Sequence, residues 1–389
     1  MNELPVGRRV AQWRVRRNMT QQQFADRLGK SKSWVDKVER GVRRLERVSN
    51  LREVAETLRI DVEVLLEARP MRPTPVVAGV DGIRTALARY HLPGTDRPPL
   101  AEEVVTRLAH AEQSYRHARY SALLMLLPGL LDDVREARAA HPAAADELLV
   151  SVYALVALVL IKVDQGELAW LAADRGMAVA LAAHDPQLAG TATVPLSQAL
   201  RSRGRRRSAL DAAVAAADRI GAHEFDVGSS ANLALRGTLL LQVALAAAGG
   251  RDERLAHQSL DQAETISRDI GTDGGGSFSR AAVEAARVVV EVTLGDSPTA
   301  MARHERLVAG DEWRWLPLEH RAAYLLDVAR AYARVGDMLR AGRTLLDAER
   351  TAHGEVHDRP VVRRLVAVVW RSADAPAGLA PLAATLHVT

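Results

Sequence analysis

The stretch TQQQFADRLGKSKSWVDKVERG, residues 20–41, decides how the chain is read. Thr20 is a good helix N-cap, and Gln23 stands three residues on, as in a capping box. Phe24, Ala25 and Leu28 then recur on one helical face. Gly29 suits the left-handed residue that closes such a helix. Ser31 can cap a second helix, with Trp34, Val35 and Val38 as its buried face and Gly41 at its end. The spacing predicts two short helices joined by a tight turn. Lys32, Ser33 and Lys37 lie on one side of the second, while Phe24 and Trp34 read as core rather than as base-stacking groups.

Working outward, Val6, Val10 and Trp13 predict a helix over 6–18. Leu51, Val54, Ala55 and Leu58 predict a fourth over 50–58, and Val62, Leu65 and Leu66 a fifth after Asp61. A compact five-helix bundle follows. A tight helix pair of this kind, polar and basic on its second helix, is the pattern of a helix-turn-helix, which sets that helix in a DNA major groove. A helix N-terminus offers unpaired N–H groups and partial positive charge to phosphate. Lys32, at the tip, can donate to guanine O6 and N7, a contact worth ~1–3 kcal/mol of discrimination. Ser33 pairs with any base. Residues 1–47 carry 13 Lys and Arg against 5 Asp and Glu, whereas the whole chain is only +4. Three of its four lysines, Lys30, Lys32 and Lys37, fall in the opening stretch, and the fourth is Lys162. That asymmetry predicts a basic, nucleic-acid-binding head on a near-neutral body.

Residues 6–67 resemble the lambda-repressor/Cro-type helix-turn-helix domain of the xenobiotic-response-element family. The motifs that carry the likeness are MTQQQFADRLG, the turn GKSKS, WVDKVERG and NLREVAETLRIDVEVLL. The resemblance implies that Gln21 hydrogen-bonds a DNA phosphate and that Lys32 and Ser33 reach base edges. Lys37 lies one turn further along that face, and Ser31 stands at its tip. It implies phosphate contacts for Arg40, Arg43 and Arg44, and a structural ion pair between Arg14 and Glu39. The family often continues with a Pro-containing loop, where this chain reads VRRLERVSN.

Pro70, Pro73 and Pro75 make 68–79 read as an extended linker, followed by a short helix over 81–90 and a second break at 91–100. The organisation expected is 1–67 for the reader, 68–100 for the linker and 101–389 for a helical body. The apolar run 148–163 has 16 residues, short of the ~20 that span a bilayer, and reads as a core helix. Cysteine is absent and the N-terminus shows no secretory signal, so a cytoplasmic, nucleoid-associated address is expected.

No strand pattern stands out in the body. Gly166, Gly204, Gly250, Gly295 and Gly336 recur at intervals of 38, 46, 45 and 41 residues, a period that suits helical hairpins. Gly336 leads to Ala341 and Ala348, and Gly204 to Ala209 and Ala216, at the same offsets. Gly166 and Gly250 depart from this, with Leu171 and Leu255 at the first offset. The body resembles tetratricopeptide repeats, and the whole chain resembles actinobacterial regulators that join a Cro-type domain to such a body. The fold class expected is all-α: a five-helix Cro-type domain followed by an α-solenoid of about seven helical hairpins. The concave face of such a solenoid can hold a ligand. Asn232, Arg236, Gln242 and Tyr324 are its candidate lining residues, and 274–278 a candidate lip.

Catalytic motifs are missing: no GxSxG, HExxH or GxxxxGK[ST] occurs. His353 and His357 stand four apart, but Gly354 between them predicts a break, so neither metal nor cofactor is expected, and no enzyme activity. The partners expected are double-stranded DNA, a second copy of the chain, and a peptide, small-molecule or protein effector, with no membrane. The alternative is a protein-interaction scaffold whose head has lost DNA specificity.

Overall fold

The computed structural model describes residues 6–17, 19–43, 45, 48–58, 60, 75–90, 99–140, 142–222, 230–270 and 278–388. Two compact units divide it, Met1–Thr74 and Pro75–Thr389. Among the described residues every regular element is helical.

The first unit contains α1 (Val6–Arg16), α2 (Gln21–Leu28), α3 (Lys32–Glu39) and α4 (Val48–Leu58). The fifth helix expected after Asp61 lies outside the described residues. Phe24, Leu28, Val35, Leu51, Val54 and Leu58 form the core, with Val10 from α1. The capping box is complete: Gln23 N donates to Thr20 Oγ1 at 3.2 Å and Thr20 N to Gln23 Oε1 at 2.9 Å. Gly29 adopts φ 61°, so the chain turns there without Cβ strain. Ser31 Oγ accepts from Trp34 N at 3.2 Å and caps α3.

The second unit opens with α5 (Pro75–Ala88). Its first turn takes in residues that read as extended linker. Proline is compatible with the first helical position, and Val80, Ile83 and Leu87 bury a face that fixes the helix. There follow α6 (Ala101–Arg116), α7 (Tyr120–Ala140), α8 (Pro142–Lys162), α9 (Gly166–Ala182), α10 (Pro186–Ser202), α11 (Arg206–Ala222), α12 (Ser230–Gly249) and α13 (Glu253–Ile270). The chain ends with α14 (Arg280–Leu294), α15 (Ser297–Ala309), a 3-10 turn (Asp311–Trp315), α16 (Leu318–Arg334), α17 (Met338–Thr351), α18 (His353–His357), α19 (Pro360–Trp370) and α20 (Leu379–Thr385). Consecutive helices pair as antiparallel hairpins, and α8, α10, α12, α14 and α16 touch one another in succession. That is tetratricopeptide-like stacking. The apolar run at 148–163 lies in α8, in the core. α12 has the length and apolarity of a membrane span, and 56% of its most apolar window is buried inside the protein.

The hairpin turns share one construction, and it corrects the register read from glycines. Besides Ala118 and His184, which are also left-handed, five hairpin turns carry Asp164, Gly204, Arg251, Gly295 and Gly336 in that region, with φ from 60° to 105°, and these five are built alike. In each turn the next N–H bonds the carbonyl five residues back, as in Gln165 to Leu160 at 2.8 Å and Asp252 to Ala247 at 3.0 Å. This is the Schellman closure. Five residues beyond each of these five stands a fully buried alanine: Ala169, Ala209, Ala256, Ala300 and Ala341. The units that seemed to depart are regular, because Asp164 and Arg251 take the left-handed position that a glycine neighbour suggested.

The array also meets its own beginning. Tyr115 and Tyr120, at the first hairpin, hydrogen-bond Glu319 on α16 and Glu355 on α18. Lys162 bonds both carboxylates, reaching Glu355 Oε1 at 2.6 Å. Ser121 Oγ donates to Asp358 Oδ1 at 3.1 Å. Ala322 and Ala352 join the same apolar cluster as Tyr120, Leu124 and Leu160. At Gly354 a Cβ would fall 1.9 Å from the Ala118 carbonyl oxygen, so the backbones touch there.

Candidate nucleic-acid interface and helical interior

In the first unit α2 and α3 sit on α1 through one buried carboxylate. Glu39 takes Arg14 Nε on Oε1 at 2.6 Å and Arg14 Nη2 on Oε2 at 3.0 Å. Arg14 Nη1 also donates to the Met19 carbonyl at 2.7 Å, tying the connection from α1 to α2 to the same group. Gln21 Nε2 donates to Glu39 Oε2 at 2.8 Å. This leaves its carbonyl and its second N–H to face elsewhere. Gly7 lets α1 pass over the end of α3, since a Cβ there would meet the Val38 carbonyl oxygen at 1.9 Å.

The outer side of α3 is polar and open. Ser31, Lys32, Ser33, Lys37 and Arg40 are all exposed. Lys32 and Lys37 have no ion pair among the described residues. Arg40 meets Asp36 at 2.5 Å, an exposed pair that a phosphate can compete for. Arg43 lies over the Trp34 ring, 5.9 Å from its centroid. Trp34 is half-buried and Phe24 fully buried, so both belong to the core side. Arg44 lies outside the described residues.

In the second unit the four lining candidates separate. Gln242, on α12, is buried and accepts from Arg201 Nη2 of α10 at 2.9 Å. Asn232, half-buried, stands near the start of the same helix. Arg236 instead packs its guanidinium against Gly221 on α11. Tyr324 is core: its hydroxyl lies 3.0 Å from His304 Nδ1, and its ring packs on Trp313. Of the lip, 271–277 lie outside the described residues, and Phe278 is buried against Gly237.

Arg201 was not legible as a site residue, because an arginine at the end of an Ala/Leu helix reads as a solvated one. In the fold its Nε is buried without a hydrogen-bond partner. Burial pulls its guanidinium down to about 10, opposed by the Asp327 carboxylate on α16. Asp327 itself pairs with Arg330 on its own helix at 2.6 Å. A half-buried guanidinium with one neutral hydrogen-bond partner can take an anionic ligand group.

Residues 5–68 match the helix-turn-helix domain family. The first unit is therefore a helix-turn-helix domain, and the chain joins it to a tetratricopeptide-like helical array. No curated protein matches the chain in sequence. Among solved structures, aspartyl phosphate phosphatase F from Bacillus subtilis is similar at 11% identity and TM-score 0.47, over 90% of this chain and 94% of that one. BtubC from P. vanneervenii is similar at 17% identity and TM-score 0.41, over 65% of this chain and 91% of its own. Bacillus thuringiensis PlcR, solved with the peptide PapR7 and DNA, is similar at 13% identity and TM-score 0.35, over 88% and 99%. All three TM-scores fall below 0.5, and these likenesses carry nothing about activity.

Proposed function

We propose that the chain is a sequence-specific DNA-binding transcription regulator of the Cro type. It binds as a homodimer, with α3 of each copy in successive major grooves. The observation that carries this reading is the capped, open face of α3, where Lys32, Ser33 and Lys37 stand clear of the core. Gln21 at the start of α2, and Arg40, Arg43 and Arg44 beyond α3, serve the phosphates. The helical array mediates dimerisation and senses an effector, a peptide, small molecule or partner protein. The Arg201–Gln242 hydrogen bond between α10 and α12 supports that role. Binding there shifts the spacing of the two heads only if the ligand favours one arrangement over the other.

The test is selection from random DNA by the full chain, followed by titration of the enriched duplex at graded salt. A palindromic motif with a steep salt dependence is expected. Lys32→Ala costs about 1–3 kcal/mol at one base position and relaxes the motif there. Arg43→Ala weakens all sequences alike and lowers the salt slope by about one. Failure of any motif to emerge, with binding indifferent to Lys32→Ala, sinks the reading.

A further inference from the structure

α17 ends and α18 begins around a group of three side chains, two of them the histidines whose spacing the sequence shows. Glu349 lies in the last turns of α17, and His353 and His357 bound α18. Gly354 does not break the chain between the two histidines. It lies inside a single helical turn, where its missing side chain lets α18 press on the Ala118 backbone. The two imidazoles are therefore at i and i+4 on one face, stacked with centroids 3.7 Å apart and planes 15° apart. His357 Nε2 lies 2.9 Å from Glu349 Oε1. One donor atom from each of the three falls within 4.8 Å of the other two.

We propose that Glu349, His353 and His357 bind one borderline divalent metal ion of the Zn2+ type, and that the ion braces the contact closing the helical array. Two imidazoles at helical i, i+4 spacing with one carboxylate form a known ligand chemistry for such ions, at ~2.0–2.2 Å per bond. Taking up the ion turns the two rings out of their stack, so that their in-plane lone pairs converge on one point. Two nitrogen donors disfavour Mg2+ and Ca2+, which take oxygen ligands. His353 is exposed, so the site has an entry path, while Glu349 and His357 are half-buried and held by packing.

The bracing follows from the position of α18. Five residues are too few for a helix to hold itself. Yet α18 carries Gly354 against Ala118 and Glu355 onto Tyr120 and Lys162, and Asp358 follows to reach Ser121. An ion joining both ends of α18 to the end of α17 restrains the element that makes the closure.

The test uses the full chain, stripped with a chelator and titrated with ZnCl2 by calorimetry, with amide hydrogen exchange read before and after. Wild type takes up one ion per chain, and His353→Ala and Glu349→Gln each weaken it at least about tenfold. His353 is exposed, so its loss leaves the fold intact, which unchanged circular dichroism verifies. Zn2+ slows exchange at 118–121 and 353–358 in wild type and not in His353→Ala. Equal titration by wild type and His353→Ala assigns the metal to other histidines and overturns the site. So does a wild-type chain that takes up no Zn2+. Uptake at this site without slower exchange overturns the bracing.

Discussion

Glu39 holds three segments with one carboxylate: α1 through Arg14, the connection from α1 to α2 through Arg14 and Met19, and α2 through Gln21. It is almost fully buried, and so is most of Arg14. Removing one partner of such a pair leaves the other charged and desolvated, at a cost of about 3–5 kcal/mol. Glu39→Ala is accordingly expected to raise hydrogen-exchange rates throughout 6–58 while leaving the array unaffected. Unchanged protection would show that the apolar core alone sets the angle between α2 and α3. The Arg14–Glu39 pairing was legible through family likeness. Its extension to Gln21 was not, because nothing in the spacing of a glutamine tells which of its groups faces inward.

At the scale of elements, the turns show what glycine counting misses. A hairpin of this type needs one left-handed residue, and glycine is only its cheapest occupant. Asp164 and Arg251 fill the position at a small cost that the tertiary packing offsets, and the buried alanine five residues on is the firmer marker. Ala256→Leu forces bulk into the α12–α13 contact and is expected to destabilise the protein by about 1–3 kcal/mol, measured by urea unfolding. Leu255, half-buried, packs only at the edge of that cluster, and a larger loss from Leu255→Ala than from Ala256→Leu would refute the register. The all-helical class, the hairpins and the helix-turn-helix were legible because periodicity and caps are local signals. The start of α5 and the approach of His353 to His357 were not, because both depend on residues far along the chain: Val80 and Ile83 burying against α7, and Gly354 resting on Ala118.

For the second unit as a whole, the closing contact is polar and therefore sensitive to acid. Glu355 is fully buried, which opposes its charge. Lys162 and Arg359, with hydrogen bonds from Lys162 and Tyr120, outweigh that and hold its carboxyl below the ordinary 4.5. Its contribution is present above 4.5 and is lost as pH falls through the lower folded value. His320 is pushed below 6.5 by burial, so the unfolded chain takes up its proton first, and stability declines as pH falls below 6.5. Acidification from pH 7 to 4 is thus expected to lower the thermal midpoint and to reduce exchange protection at 118–121, measured against the intrinsic rate at each pH. A flat profile over that range would contradict the arrangement. A stack of hairpins ordinarily behaves as a one-dimensional row, each unit leaning on its neighbours, with two ends that fray. Here the row is joined into a hoop through Lys162, Glu319 and Glu355. A hoop has no free end at which unravelling starts cheaply. Loosening any single hairpin must either break the clasp or strain the rest of the circle.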